Sequence, residues 1–347
     1  MPVQEQECSF KMKNKLLIVY NTCGVRSENI DYYTNAIESL LDQDFEDYRI
    51  VVSMFKNSLR CKKALAQKFG NKISYVFYDD ESLTINQTFN KTVNICVEKY
   101  GKFEGYLYLD SGVTFGPHQA AHRPPFGTYR LERNREVLKK IYKTFKSGPY
   151  GMSVIQVDCD AGFHHIGMQY EAGPEPQVKD EDFIVPVGRA VNLHAQIFSH
   201  ELFDAFDGFM WPDVFAAFCS ESTFSFLNAV IHKKWVIMKD LVVHHQASME
   251  GYLSASAAFS HHSPKYGNPW NNLLHGRNAI DFINDPEAIE AGMGYEEMGD
   301  IMMHKEGAFD EDGYAKYPEK LKKLIKKHWF LSKEEFDYDK TDYKAIL

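Results

Sequence analysis

Apolar runs and amphipathic stretches alternate along the first third of the chain. Leu16–Tyr20, Tyr48–Val52, Ile73–Tyr78 and Gly105–Leu109 are short runs dominated by aliphatic and aromatic residues. Such runs suit strands buried on both faces rather than strands with one wet side. Between them lie helical patterns. Ser27 stands where a helix would be capped, followed by Ile30, Tyr33, Ile37, Leu40 and Leu41 on one stripe. The stretch 59–69 reads as a second helix that ends near Gly70. Thr84 and Gln87 have capping-box spacing, and the helix they open carries Ile85, Phe89, Val93 and Val97 on one face. Strand–helix alternation of this length predicts right-handed βαβ units and a mostly parallel sheet flanked by helices, a Rossmann-like α/β fold.

Beyond residue 112 the alternation loosens. Residues 116–130 are rich in Gly, Pro and His, a helix is expected over 132–146, and a strand over 152–158. The stretch 161–182 reads as a long loop, of the kind that often covers a site. A helix with Phe224, Leu227 and Ile231 turned inward is expected within 211–232, then a strand over 235–243. Pro318 opens a last helix carrying Leu321, Leu324, Ile325 and Trp329.

Composition narrows the function. The formal net charge of −9 argues against tracking a nucleic-acid backbone, which needs a basic face to release counterions. Aromatic residues make up 14% of the chain, enough for a large core and for a pocket that stacks on flat ligands. The cysteines at 8, 23, 61, 96, 159 and 219 form no C-x-x-C pair, so zinc knuckles and redox motifs are not signalled, and free thiols in a reducing compartment are expected. The first residues lack the apolar core of a secretory signal, and no run reaches the roughly 20 apolar residues that span a bilayer. A cytoplasmic protein without a transmembrane segment is expected, with peripheral membrane contact as a further reading.

Ligands of parallel α/β sheets bind beyond the carboxyl ends of the strands. Here those ends read Asn21-Thr22, Ser53, Asp79-Asp80 and Asp110-Ser111-Gly112. Neither G-x-G-x-x-G nor G-x-x-x-x-G-K-[ST] occurs, which disfavours a dinucleotide dehydrogenase and a P-loop NTPase.

Three segments carry a resemblance. NAIESLLDQDFEDYRIVVS (35–53), GYLYLDSGV (105–113) and SESTFSFLNAVIHKKWVIMKDLVVHH (220–245) resemble, in order and spacing, the opening helix and second strand, the D-x-D strand, and the acidic segment, helix and His-ended strand of family-2-like GT-A glycosyltransferases. The resemblance spans about residues 15 to 250. It implies a GT-A fold, a nucleotide-sugar donor, a glycan or lipid-linked acceptor, no nucleic acid, and usually an inverting transfer that serves glycan or polysaccharide synthesis. The implied division is an N-terminal tail over 1–14, a glycosyltransferase domain over 15–250 (nucleotide-binding half 15–113, acceptor half 114–250), and a C-terminal helical extension over 251–347.

The resemblance also assigns roles. Asp110 and Ser111 fall on the donor-binding motif, where a divalent cation, Mn or Mg, bridges the donor phosphates. A hard cation with oxygen ligands is what a departing diphosphate requires. Gly112 replaces the closing Asp of the motif, so Asp110 either holds the metal, directly or through water, or faces the ribose. The resemblance implies that His244 or His245 joins the metal or touches the diphosphate. Only one of the two faces the site, because side chains alternate along a strand. Glu221 is the expected catalytic base, with Asp213 in reserve, since Ser222 replaces the second acid of the usual pair. Thr22, Ser53, Asp79 and Asp80 are the donor-binding candidates at the nucleoside end.

Other features read as structural. His164-His165, His194 and His261-His262 match no metal template, and Arg189 reads as a surface residue more readily than as a phosphate ligand. The basic helix Lys320–Lys327 reads either as a lipid-facing patch or as a solvated helix packing one apolar stripe. The Gly112 and Ser222 departures keep open a non-catalytic sugar-nucleotide or glycan-binding relative of the same fold. A nucleotidyltransferase on a similar sheet is a third reading.

Overall fold

The computed structural model describes residues 15–22, 30–55, 59–79, 83, 85–110, 113–116, 118–121, 128–131, 133–159, 164–165, 183–184, 195–211, 227–245, 285–291, 309–330 and 343–347. The first half follows the expected alternation: β1 (Leu16–Asn21), α1 (Ile30–Leu41), β2 (Tyr48–Phe55), α2 (Leu59–Phe69), β3 (Ser74–Tyr78), α3 (Ile85–Tyr100) and β4 (Gly105–Asp110). Then come β5 (Val113–Thr114), a hairpin of β6 (His118–Ala121) and β7 (Thr128–Leu131), α4 (Val137–Lys146), β8 (Tyr150–Cys159), β9 (His164–His165), β10 (Phe183–Ile184), β11 (Ala195–Ser199) and α5 (His200–Ala205). After β12 (Lys234–His245) the described elements are α6 (Pro286–Glu290), α7 (Pro318–His328) and β13 (Tyr343–Ile346).

The main sheet runs β10-β12-β8-β11-β4-β1-β2-β3-β13. Its β4-β1-β2-β3 part is wholly parallel. β11 enters antiparallel between β4 and β8, and β8 and β12 are again parallel to each other. The result is a mixed, mostly parallel sheet flanked by helices.

Period-two alternation sorts the strands into two cores. Leu17 and Val19 of β1, Val76 and Tyr78 of β3, and Tyr106 and Tyr108 of β4 meet α3, α5 and α7 on one face. Leu16, Ile18 and Tyr20, then Tyr75 and Phe77, then Leu107 and Leu109 meet α1, α2 and α4 on the other. α1 buries Tyr33, Ala36, Ile37 and Leu40, and each large aliphatic side chain so buried contributes roughly 1.5–3 kcal/mol. α7 likewise packs Leu321, Leu324 and Ile325, fully buried, beside Trp329.

Several segments differ from expectation. α4 starts at Val137 rather than 132, because residues 133–136 are tied to the end of α1 instead. Arg133 grips Asp42 with two hydrogen bonds of 2.6 and 2.5 Å, the Asp44 N–H donates to the Arg135 carbonyl at 2.7 Å, and the Gln43 amide donates to the Asn134 carbonyl at 2.9 Å. β2 runs two residues past Ser53, so Ser53 lies inside the strand and not after it. Ser53 interrupts the apolar run without ending the strand, because it is fully buried between β1 and β3. The hairpin β6-β7 occupies part of the Gly-, Pro- and His-rich stretch, and β9 falls within the expected loop 161–182. In the C-terminal stretch, β13 adds an antiparallel strand beside β3.

Lys320, Lys322, Lys326 and Lys327 on α7 pair with Glu290, Glu319, Asp207 and Asp285. Internal acids thus meet much of the charge that a lipid surface would have to attract. Among the described residues, no helix is long and apolar enough to cross a membrane.

Candidate functional site at the carboxyl edge of the sheet

The parallel strands align three polar residues at their carboxyl edge. Asn21 at the end of β1 is in register with Ser53 on one side and with Asp110 on the other. Alternation from Val19, Val51 and Tyr108, all in the α3-side core, turns all three toward α3. Asn21 and Ser53 are buried and Asp110 is half-buried. The Asn21 amide donates to the Thr88 hydroxyl of α3 at 3.2 Å. Thr22, directly after β1, donates both its N–H and its hydroxyl to the Ser53 carbonyl, each at 2.9 Å. Thr22 therefore clamps β1 to β2 at the site, and its oxygen keeps acceptor capacity. Asp79 follows β3, two strands from β1, and is exposed.

β12 brings a histidine to the same face. Its pairing with β8 slips between Met238 and Val242. Met238 belongs to the α1-side core and so do Leu241 and Val243, so the side-chain parity flips across the slip. A one-residue change of phase exchanges the faces of a strand. His244 therefore turns to the α3 side, the side of Asp110, and is fully buried. It pairs in register with Thr114 of β5, which lies four residues beyond Asp110. Val113 and Phe115 sit in the α1-side core, so Thr114 shares the face of His244. β5 is pinned from below as well: the Phe115 N–H donates to the Ser39 hydroxyl of α1 at 3.0 Å.

α3 underlies this edge with an unusual polar content. Asn86, Gln87, Thr88, Asn90 and Thr92 are all buried. The Tyr78 hydroxyl reaches the Thr88 carbonyl at 3.1 Å and the Thr92 hydroxyl at 2.8 Å. The Asn90 amide donates to the Trp211 carbonyl at 2.7 Å and accepts from the N–H groups of Met210 and Trp211 at 3.2 and 3.1 Å. Trp211 packs edge-on to Tyr108 and Phe89, with ring centroids 4.5 and 5.3 Å away.

Asp80, Ser111, Gly112, Asp213, Glu221 and Ser222 lie outside the described residues, as do Ser27, Thr84, Arg189, His194 and His261-His262. His245 is placed by its backbone beside Val113 and Cys159. Among the described residues, no three His, Cys, Asp or Glu side chains gather as a metal cluster. Asp110 and His244 share one face of one edge, and their oxygen and imidazole donors are of the types that could hold a divalent ion.

The chain resembles solved GT-A glycosyltransferases. One is a mannosyltransferase from Pyrobaculum calidifontis in complex with GDP-Man and Mn2+, with a TM-score of 0.46 and 12% identity over 70% of this chain and 59% of that one. Another is GalNAc-T7 with UDP, GalNAc and Mn2+, with a TM-score of 0.45 and 13% identity over 68% of this chain and 44% of that one. This chain thus spans about half the length of each. No protein-family model and no curated protein matches the sequence.

Sequence reasoning missed the buried amides of α3. Asn and Gln in an amphipathic pattern read as solvent-facing, and the signal that separates them is their number on a helix already supplied with an apolar stripe.

Proposed function

We propose that the chain is a glycosyltransferase that moves a sugar from a nucleotide-sugar donor to a hydroxyl acceptor. The observation that carries this reading is the in-register alignment of Asn21, Ser53 and Asp110 at the carboxyl edge, with His244 on the same face. In this reading the nucleoside diphosphate lies along that edge, and Asp110 with His244 holds its phosphate end. A divalent cation bound there would neutralise charge developing on the leaving diphosphate. The acceptor hydroxyl attacks the anomeric carbon as the carbon–oxygen bond to phosphate breaks. Glu221, or Asp213 in its place, takes the hydroxyl proton. The attack from the opposite side makes the transfer inverting. Glycan or polysaccharide synthesis, in the cytoplasm or at the cytosolic face of a membrane, is the role that fits such chemistry. The domain division at 14, 113 and 250 belongs to the same reading.

The second reading, a non-catalytic sugar-nucleotide or glycan-binding relative, is favoured by Gly112 and Ser222 standing where the motif carries acids.

A thermal-shift panel of UDP, GDP, CDP and dTDP, each with and without Mn2+ or Mg2+, tests the site. A ligand at 100 times its dissociation constant adds about 2.7 kcal/mol. One diphosphate is expected to stabilise the protein, more so with metal and less so in Asp110→Asn. No shift from any of the four would overturn the donor site.

A further inference from the structure

We propose that Asn90 is a positioning residue that fixes the turn ending at Trp211 against the carboxyl edge, an inference that rests on the transferase reading. Its side chain makes three bonds to the backbone there: one given to the Trp211 carbonyl and two taken from the Met210 and Trp211 N–H groups, all buried. Asn94, one helical turn later, adds a bond to the Gly208 carbonyl at 2.9 Å. The turn itself holds two left-handed residues, Asp207 at φ 55° and Gly208 at φ 91°. The N–H groups of Met210 and Trp211 are met by α3 through the Asn90 side-chain oxygen.

The turn lies under the site. Trp211 stands 4.5 Å from Tyr108. Tyr108 and Asp110 lie on the same face of β4, about 7 Å apart along the strand. The same helix, two residues before Asn90, holds Asn21 through Thr88. α3 therefore sets the donor edge and the Trp211 turn from one rigid body. In the sequence Trp211 leads directly into Pro212-Asp213, and two residues of chain reach at most about 7 Å. Loss of Asn90 releases the turn at Met210 and Trp211, which precedes Asp213 by two residues in the sequence, and leaves the Asn21–Thr88 contact in place.

The test compares wild type, Asn90→Ala, the isosteric Asn90→Asp and Asn94→Ala. Hydrogen exchange is read on the peptide spanning 206–211, and initial rates are read against nucleotide-sugar concentration well below each variant's melting temperature. Asn90→Ala is expected to speed exchange at 210–211, with β1 and β4 still protected, and to lower kcat on the order of 10- to 100-fold, as small misplacements do. Donor KM should stay within about twofold, since uniform binding is untouched. Asn90→Asp keeps both acceptor bonds and is expected to recover part of kcat. Should Asn90→Ala prove unfolded, Asn90→Asp alone decides the matter, with an intermediate kcat expected. Unchanged exchange at 210–211, or faster exchange with wild-type kcat, overturns the proposal. A wild type inert toward every nucleotide sugar, with exchange at 210–211 still sensitive to Asn90, overturns the transferase reading instead and with it the positioning role.

Discussion

Gly208→Ala probes the Trp211 turn from its backbone side. Gly208 sits at φ +91°, and a Cβ built there would stand 2.5 Å from Asn94 Oδ1. The left-handed backbone costs an L-residue about 1–2 kcal/mol. Asn94 is not at liberty to step aside, because its amide donates to Asn90 O at 2.8 Å and to Gly208 O at 2.9 Å. Displacing it weakens those bonds at about 0.5–1.5 kcal/mol each. Reduced freedom of the unfolded chain returns about 0.4–1 kcal/mol. The net loss is about 2–3 kcal/mol, or roughly 4–12 °C at about 2–4 °C per kcal/mol. Urea denaturation followed by far-UV circular dichroism measures it. The double variant Gly208→Ala/Asn94→Ala removes the clash, so its loss is expected to fall short of the sum of the singles by about 1 kcal/mol. A single-variant loss below about 0.5 kcal/mol, or strict additivity in the double, would refute the packing argument.

Other predictions follow from the same contacts. Asp285 caps α6 through the Glu287 N–H and pairs with Lys327 and His328 of α7; hydrogen bonds from Lys327 and then His328 hold its carboxyl well below the usual carboxylate range. A depressed folded-state pKa stabilises fully above the unfolded value of about 3.9 and is lost as pH falls below it. Asp285→Asn should therefore flatten the acid limb of a stability–pH curve below about pH 4, and an unchanged limb would contradict the pairing. Burial pushes the Cys61 thiol up to about 11 and the Cys96 thiol up to about 12, so both should resist an aromatic disulfide reagent at pH 8 until the protein is unfolded. Labelling of either in the native state at the rate of a free thiol would contradict their burial.

The first four strands were legible because burial on both faces leaves unbroken apolar runs, and β1, β3 and β4 end within a residue of the expected place. Ser53 misled because a small hydroxyl resembles a strand end although the strand continues. β11 and β13 escaped notice since Ala195–Ser199 and Tyr343–Ile346 are brief and have neither a long apolar run nor turn residues to frame them. They are strands because neighbouring sheet edges accept them, a non-local cause. The face of His244 was illegible for a sharper reason. Continuing the alternation from Met238 points it the wrong way, and only the slip against β8 reverses it. Asp110 was readable from its strand, whereas the α3 amides that organise the edge were hidden by their polarity.

The most direct measurement is release of nucleoside diphosphate from a panel of UDP-, GDP-, CDP- and dTDP-sugars, in wild type and Asp110→Asn, with sugar incorporation into a hydroxyl acceptor followed in parallel. The account predicts release from one nucleotide class and a loss on the order of 10²–10³ in kcat for Asp110→Asn, the scale of removing one electrostatic stabiliser. Diphosphate binding without turnover of any donor, or pyrophosphate release from a nucleoside triphosphate instead, would contradict it.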